Sequence, residues 1–414
     1  MRNAGTKQQR AIVALLCLIP TASTLSQTQF LETLDERLRY SSGNGLFRAE
    51  INGLLDAEAY YIDGNPPGLL FSDDDLLFSP RATLFLEAEL GKHLYGLVQF
   101  RADRGFDPGA DENGDARLDE YFLRYTPLEQ PVFQLQVGKF ATVFGNWVAR
   151  HDSWENPLIN APLAYENVTI VSDVTAPTSP AAFLARGNKP DEKGAWLPVL
   201  WGPSYSSGVL ISGVVNRFEY ALEFKNASIS SRPTVWDATD LDWENPTWSG
   251  RVGYLPSPEW RVGASASHGA YLLPSARGGL PPGDDLDDYN QTTVGVDLSY
   301  AWRHFQVWAE AIAASFEVPT VGDADTISYY LEAKYKWTPQ LFTAARWGQQ
   351  FFDTVNDGNG NWVKWDRDIW RAELALGYRF DRHLQTKLQY SYSRQEGAFQ
   401  QGEQLLAAQV TLKF

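Results

Sequence analysis

Charge is the chemistry this chain carries in bulk. Its 414 residues include 51 Asp+Glu and 35 Lys+Arg, beside only five His, one Cys and one Met. A nucleophile needs a base beside it and a third group that orients the base. Ser265 and Ser267 precede His268, but no spacing supplies the third group. An enzyme is therefore not expected, and a hydrolase stands only as an alternative. Of the other His, His93, His304 and His383 fall in short connections and His151 in a long one. The lone Cys17 excludes a disulfide framework, a thiolate metal site and haem attachment. Two strings have calcium-loop spacing, Gly109-x-Asp111-x-Asn113-Gly114-x5-Glu120 and Asp357-Gly-Asn359-Gly-Asn361. The first puts Gly at the first ligand position and has no flanking helices, and the second is as partial, so both read as polar turns. No metal site and no cofactor is expected.

The excess acid gives a formal net charge of −16. That excludes a nucleic-acid partner, which needs basic stripes. Mean hydropathy is −0.32, and no apolar run is long enough for a membrane helix. Aromatics are abundant, with 15 Trp, 19 Tyr and 22 Phe.

Residues 1–26 have the order of an export signal: Arg2, Lys7 and Arg10 without an acid, the apolar stretch 11–19, Pro20, then small or polar residues. Thr24 and Ser26 suit cleavage before Gln27. Residues 27–45 do not alternate; Phe30, Leu31, Leu34 and Leu38 have helical spacing and read as a short periplasmic segment.

From residue 46 to Phe414, apolar and polar residues alternate in sixteen segments. In Phe47–Tyr61 the odd positions are apolar or small, and at the carboxy terminus Leu406, Ala408, Val410, Leu412 and Phe414 share a face. Connections alternate between short turns and long loops, among them 139–205 (the third) and 315–325 (the sixth). Short turns on one side, long loops on the other and an even strand number define an all-β fold, a sixteen-stranded antiparallel transmembrane β-barrel. The apolar face points to lipid and the polar face to the lumen. Near the short turns the apolar face carries Tyr125, Phe133, Phe218, Tyr254, Trp260, Tyr300, Phe305, Tyr335, Tyr378, Phe380 and Phe414, an interfacial girdle.

Inward parity selects the expected pore lining. Its bases include Arg48, Arg81, Arg101, Arg124, Arg251, Arg261, Lys334, Arg346, Arg371 and Lys387. Its acids include Glu50, Glu87, Glu120, Glu223, Glu310 and Glu373. The whole inward set is nearly balanced, as suits a lumen that conducts water and small solutes across a transverse field. Lys139 and Arg150 flank Phe144-Gly145-Asn146 and, with Asp152 and Glu155, are the expected constriction residues. The acidity falls almost wholly in the long loops, so the mouth should attract cations. Trp147, Trp154, Trp196, Trp201, Trp236 and Trp243 lie in the third and fourth loops, where indole rings can stack on sugars.

The leader, the sixteen alternating segments and the terminal strand ending in Phe414 together resemble bacterial outer-membrane porins. The segment Phe133-Gln-Leu-Gln-Val-Gly-Lys-Phe-Ala-Thr-Val-Phe-Gly145 looks like the strand-five motif of the phosphate-selective porin O/P family. The resemblance implies a homotrimer in the outer membrane of a Gram-negative bacterium, amid lipid and lipopolysaccharide. It implies that Phe414 is read by the barrel-assembly machinery and that loop 139–205 folds into the pore. It implies a water-filled channel for passive diffusion of small hydrophilic solutes and ions. The alternatives are a channel specific for anions such as phosphate or for oligosaccharides, and a closed structural barrel.

Overall fold

Strands with one apolar and one polar face leave no edge unpaired only if the sheet closes on itself. The computed structural model describes residues 24–64, 67–105, 108–110, 112–188, 196–233, 243, 246–396 and 402–414, and in it the sheet does close. The strands are β1 (Phe47–Asp63), β2 (Leu76–Leu90), β3 (Leu94–Asp103), β4 (Asp115–Tyr125), β5 (Gln134–Phe140), β6 (Ser206–Val215), β7 (Phe218–Lys225) and β8 (Thr247–Ser257). They continue as β9 (Trp260–Ala270), β10 (Asn290–Trp302), β11 (Phe305–Val318), β12 (Gly322–Lys336), β13 (Leu341–Phe352), β14 (Ile369–Arg379), β15 (Leu384–Gln395) and β16 (Gly402–Lys413). Each pairs antiparallel with its chain neighbours, and β16 pairs with β1 from Gln404↔Asp63 to Lys413↔Leu54. The sixteen-stranded antiparallel barrel expected from the alternation is the fold.

Closure is finished by the last residue. Phe414 N–H donates to Gly53 O at 3.1 Å, and Gly53 N–H donates to Phe414 O at 2.8 Å. Below that point Arg39–Ser41 takes over pairing with Arg48–Glu50. A helix, α1 (Thr24–Arg37), precedes it, and Arg382 of the β14–β15 turn lies 3.5 Å from Glu32 and 3.8 Å from Asp35. The rest of the leader lies outside the described residues.

The outer surface is an apolar belt. Leu55, Leu86, Leu123, Val137, Ile211, Leu222, Val252, Val296, Leu331 and Leu374 are all exposed. At its short-turn edge the girdle rings meet in pairs, Phe218–Tyr254 at 4.9 Å, Trp260–Tyr300 at 4.4 Å and Tyr378–Phe380 at 4.8 Å. A second girdle, unanticipated by the sequence reading, stands at the long-loop edge. There Phe224 meets Trp248 at 4.3 Å, and Trp347, Trp370 and Tyr392 follow one another at 5.0 and 5.4 Å.

One expected long loop is not there. The sixth connection is only residues 319–321, because β11 and β12 keep pairing through Ser315↔Asp325, Phe316↔Ala324, Glu317↔Asp323 and Val318↔Gly322. Above the belt the strand faces swap chemistry. The inner Phe316, Val318 and Ala324 are buried in an apolar core, while Ser315, Glu317, Asp323 and Asp325 turn to solvent. That core joins Ile170, Val171, Phe183, Leu197 and Trp201 of loop three to Tyr271, Leu272 and Leu286 of loop five and Val355 and Trp365 of loop seven. The outer loops thus form a packed dome.

Candidate channel interior

A chain segment with no regular structure can enter a barrel only if its backbone N–H and C=O groups find partners there. The first part of loop three, residues 141–166, does enter, and inward side chains of the wall supply the partners. Carboxylates take the amides. Glu120 accepts from Ala141 N–H at 2.7 Å, and Glu223 from Thr142 Oγ1 at 2.6 Å and Val143 N–H at 3.2 Å. Glu310 accepts from Asn146 N–H, from Trp147 N–H at 2.9 Å and from Tyr165 Oη at 2.6 Å. Cations take the carbonyls. Lys387 Nζ donates to Ser153 O, Asn156 O and Leu158 O at 2.8, 2.9 and 3.2 Å. Arg346 Nη2 donates to Asn160 O and Ala161 O at 2.9 and 2.8 Å, and Arg371 binds Ala161 O and Glu166.

The strap also needs one strained turn. Gly145 has φ +73°, and a Cβ there would stand 2.4 Å from Tyr165 Oη and 2.9 Å from Glu310 Oε1. Only glycine takes that conformation and that approach without cost.

The strap occupies the β7–β15 side of the lumen. Against the opposite wall a cavity of about 230 Å³ stays open. It reaches from Leu69, Leu70 and Pro108 of the outer loops down to Leu54, Thr83 and Phe85 of β1 and β2. Arg81, Arg101 and Glu120 line it from the wall; His151, Asp152, Ser153, Asn156 and Glu166 line it from the strap. Each arginine is held by carboxylates. Arg81 contacts Asp56 at 3.0 Å and Glu58 at 2.7 Å; Arg101 contacts Asp103 at 2.7 Å and Asp119 at 3.5 Å. Burial raises the Glu166 pKa against the pull of Arg371, and burial lowers that of His151, whose ring bridges Val148 O and Tyr205 Oη.

The expected pore residues therefore divide into three groups. Arg81, Arg101 and Glu120 face the cavity. Arg48, Glu50, Glu87 and Arg124 lie in the short-turn half of the same wall, where Arg48 pairs with Glu89 at 3.5 Å with both side chains well exposed. The rest are taken up elsewhere. Glu223, Glu310, Arg346, Arg371, Glu373 and Lys387 are buried beneath the strap, Arg251 pairs with Asp297, Arg261 with Glu219, and Lys334 lies over the Phe342 ring. Among the constriction candidates, Asp152 lines the cavity and its Oδ1 accepts from Trp154 and Glu155 N–H at 2.8 Å; Glu155 itself is exposed. Arg150 points away, to Glu332 at 2.5 Å and over Trp308 at 4.4 Å. Lys139 belongs to β5, on the outward side with Tyr121 and Val137, and donates to Leu118 O at 3.0 Å.

Two inward residues, Arg117 and Asp119, escaped the sequence reading for a definite reason. A bulge in β4 opposite Gln99/Phe100 puts Asp119 and Glu120 on the same side and shifts the phase beyond them. Arg117 thereby turns inward, 2.7 Å from Asp103 and 2.9 Å from Asp119. Nothing in the local sequence marks the bulge. The Ser–His pair is not assembled: Ser265 accepts from Gly145 N–H inside the barrel, while His268 sits on the exposed face beside Thr292. In the second calcium-like string, Asp357 spends its carboxylate on Asn359 and Asn361 of its own turn. Asp111 of the first lies outside the described residues.

A closed sixteen-stranded antiparallel barrel with an internal third loop is the class this geometry defines. Among solved structures, it is similar to the outer membrane channel DcaP of Acinetobacter baumannii, at 12% identity and TM-score 0.57 over 91% of this chain and 99% of that one. It is also similar to OmpF of Salmonella typhi, at 12% identity and TM-score 0.56 over 91% and 100%. OmpT, an outer membrane protein of Vibrio cholerae, matches at 11% identity and TM-score 0.55 over 89% and 98%. No family model and no curated protein matches the sequence, so the phosphate-selective resemblance rests on the 133–145 segment alone.

Proposed function

We propose that the protein is an outer-membrane porin, a channel for passive diffusion of small hydrophilic solutes and ions. The observation that carries this is the cavity left beside the strap, charge-lined and running from the outer loops toward the short-turn half of the wall, where Arg48 and Glu89 are exposed. The apolar belt between two aromatic girdles supports insertion in a bilayer, and the neighbours are outer-membrane barrels. Assembly as a homotrimer and reading of Phe414 by the barrel-assembly machinery belong to the same proposal.

The small cations are the favoured ions. Asp56, Glu58, Glu120, Asp152 and Glu166 line the cavity against Arg81 and Arg101, and the loops at the mouth are acidic. In a confined passage net charge sets the field. Planar-bilayer recording tests the proposal: discrete conductance steps with a cation-sign reversal potential in a KCl gradient are expected. A lumen that never conducts would leave a structural barrel as the remaining role.

A further inference from the structure

Of the polar wall residues that grip the strap, three adjacent inward positions on β15 hold a stretch that also borders the open cavity. Gln385 Nε2 donates to Ser153 O at 3.3 Å. Lys387 donates to the carbonyls of Ser153, Asn156 and Leu158. Gln389 accepts from Ile159 N–H and donates to Asn160 Oδ1 at 3.1 Å. All three glutamine and lysine side chains are buried to within 1% of full coverage, so no solute in the cavity reaches them. The other side of the same stretch, at Asp152, Ser153, Asn156, Ile159 and Asn160, lines the passage.

From this two-sided arrangement we infer that Gln385, Lys387 and Gln389 are positioning residues that set the width of the passage through segment 151–161 without touching what passes. The inference rests on the channel reading. Its physical basis is that the segment has little regular structure to keep it in place. An ammonium with three carbonyl partners is a strong, short-range clamp, and an interior amide pair satisfies groups that would otherwise be left unpaired. When the clamp is lost, those carbonyls and amides must find water, and the nearest open volume is the cavity itself. The cavity-side face of the segment then loses its register.

The test separates width from charge. Gln389→Leu changes no charge, Lys387→Met removes the ammonium at similar length, and Lys387→Arg keeps a charged donor. Single-channel conductance, the largest polyethylene glycol that enters the channel and the reversal potential are measured for each, with heat-modifiable mobility confirming a closed barrel. Gln389→Leu is expected to raise the conductance and the exclusion limit while leaving the reversal potential unmoved. Lys387→Met is expected to raise both further, and Lys387→Arg to lie nearer the parent. Unchanged conductance and exclusion limit in both Gln389→Leu and Lys387→Met overturn the inference. Should Lys387→Met fail to close, Gln389→Leu decides alone. A parent protein that does not conduct refutes the channel reading instead. In that case new protease cleavage within 151–161 of Gln389→Leu still supports the positioning role, and continued resistance overturns it.

Discussion

Glu310 on β11 accepts the backbone N–H of Trp147 at 2.9 Å, a contact between residues 163 positions apart in the chain. The same carboxylate takes Asn146 N–H and Tyr165 Oη, so one side chain satisfies three donors of the strap. Glu310→Ala leaves all three without a partner. At about 1–3 kcal/mol for each buried group left unsatisfied, the strap should lose at least about 3 kcal/mol of docking energy. Glu310→Gln keeps an acceptor and should lose less. Protease cleavage within 141–167, compared between the two variants, checks the order.

Arg150 was expected at the constriction, and its position gives a different prediction. Its guanidinium binds Glu332 at 2.5 Å and Tyr330 Oη at 3.2 Å, away from the cavity. Arg150→Ala exposes Glu332 to loss of one partner, although Arg346 remains 3.2 Å away. A destabilisation of about 2 kcal/mol follows from a partly compensated buried carboxylate. Chemical unfolding of the refolded barrel should detect it. A reversal potential that moves strongly while stability stays put would contradict this placement.

The seam between first and last strands predicts an assembly defect. A Cβ on Gly53 would meet Thr83 O at 2.6 Å and Phe414 Cζ at 2.8 Å. Gly53→Val should therefore lower the yield of folded barrel, and Phe414→Ala, which removes the ring but keeps the backbone pairing, should lower it less in vitro. The fraction of heat-modifiable protein on semi-native gels measures both. Equal folding of Gly53→Val and parent would refute the steric argument.

Loop seven should respond to pH. Burial pushes Asp366, beside Trp365 of the dome core, up to about 7 from an ordinary 3.8. Between those values the folded loop holds a proton that the unfolded chain has released. Stability therefore falls as pH rises through the window and levels off above about 7. Burial raises Asp173 of loop three in the same direction, against Arg232. Cleavage of residues 353–368 by added protease should be faster at pH 8 than at pH 5, and Asp366→Asn should flatten the difference.

What the sequence makes legible is whatever repeats every two residues. Sixteen strands, the lipid side and the short-turn girdle follow from parity, because each strand answers to the same two solvents. Parity fails where a third environment intervenes. Phe316, Val318 and Ala324 look like loop residues because the dome inverts the inside–outside rule above the belt. Arg117 and Asp119 are displaced by a bulge, and Lys139 falls on the outward side because β5 runs on to Phe140. Parity also selects Lys387 and Glu310 as inward but not what they face. The strap that covers them comes from a distant part of the chain and meets them mostly through its backbone.

The span of that contact has a consequence for the order of folding. Lys387 grips carbonyls 229 to 234 positions earlier in the chain. The carbonyls of Ser153, Asn156 and Leu158 therefore wait for this partner until the penultimate strand is in place. Contacts of such separation form late and slowly. An assembling barrel then passes through a stage in which the wall is still open and this stretch of the loop is not yet held by Lys387. The last hairpin both seals the cylinder and draws the loop to its side, so the moment of closure is also the moment the bore acquires its final size.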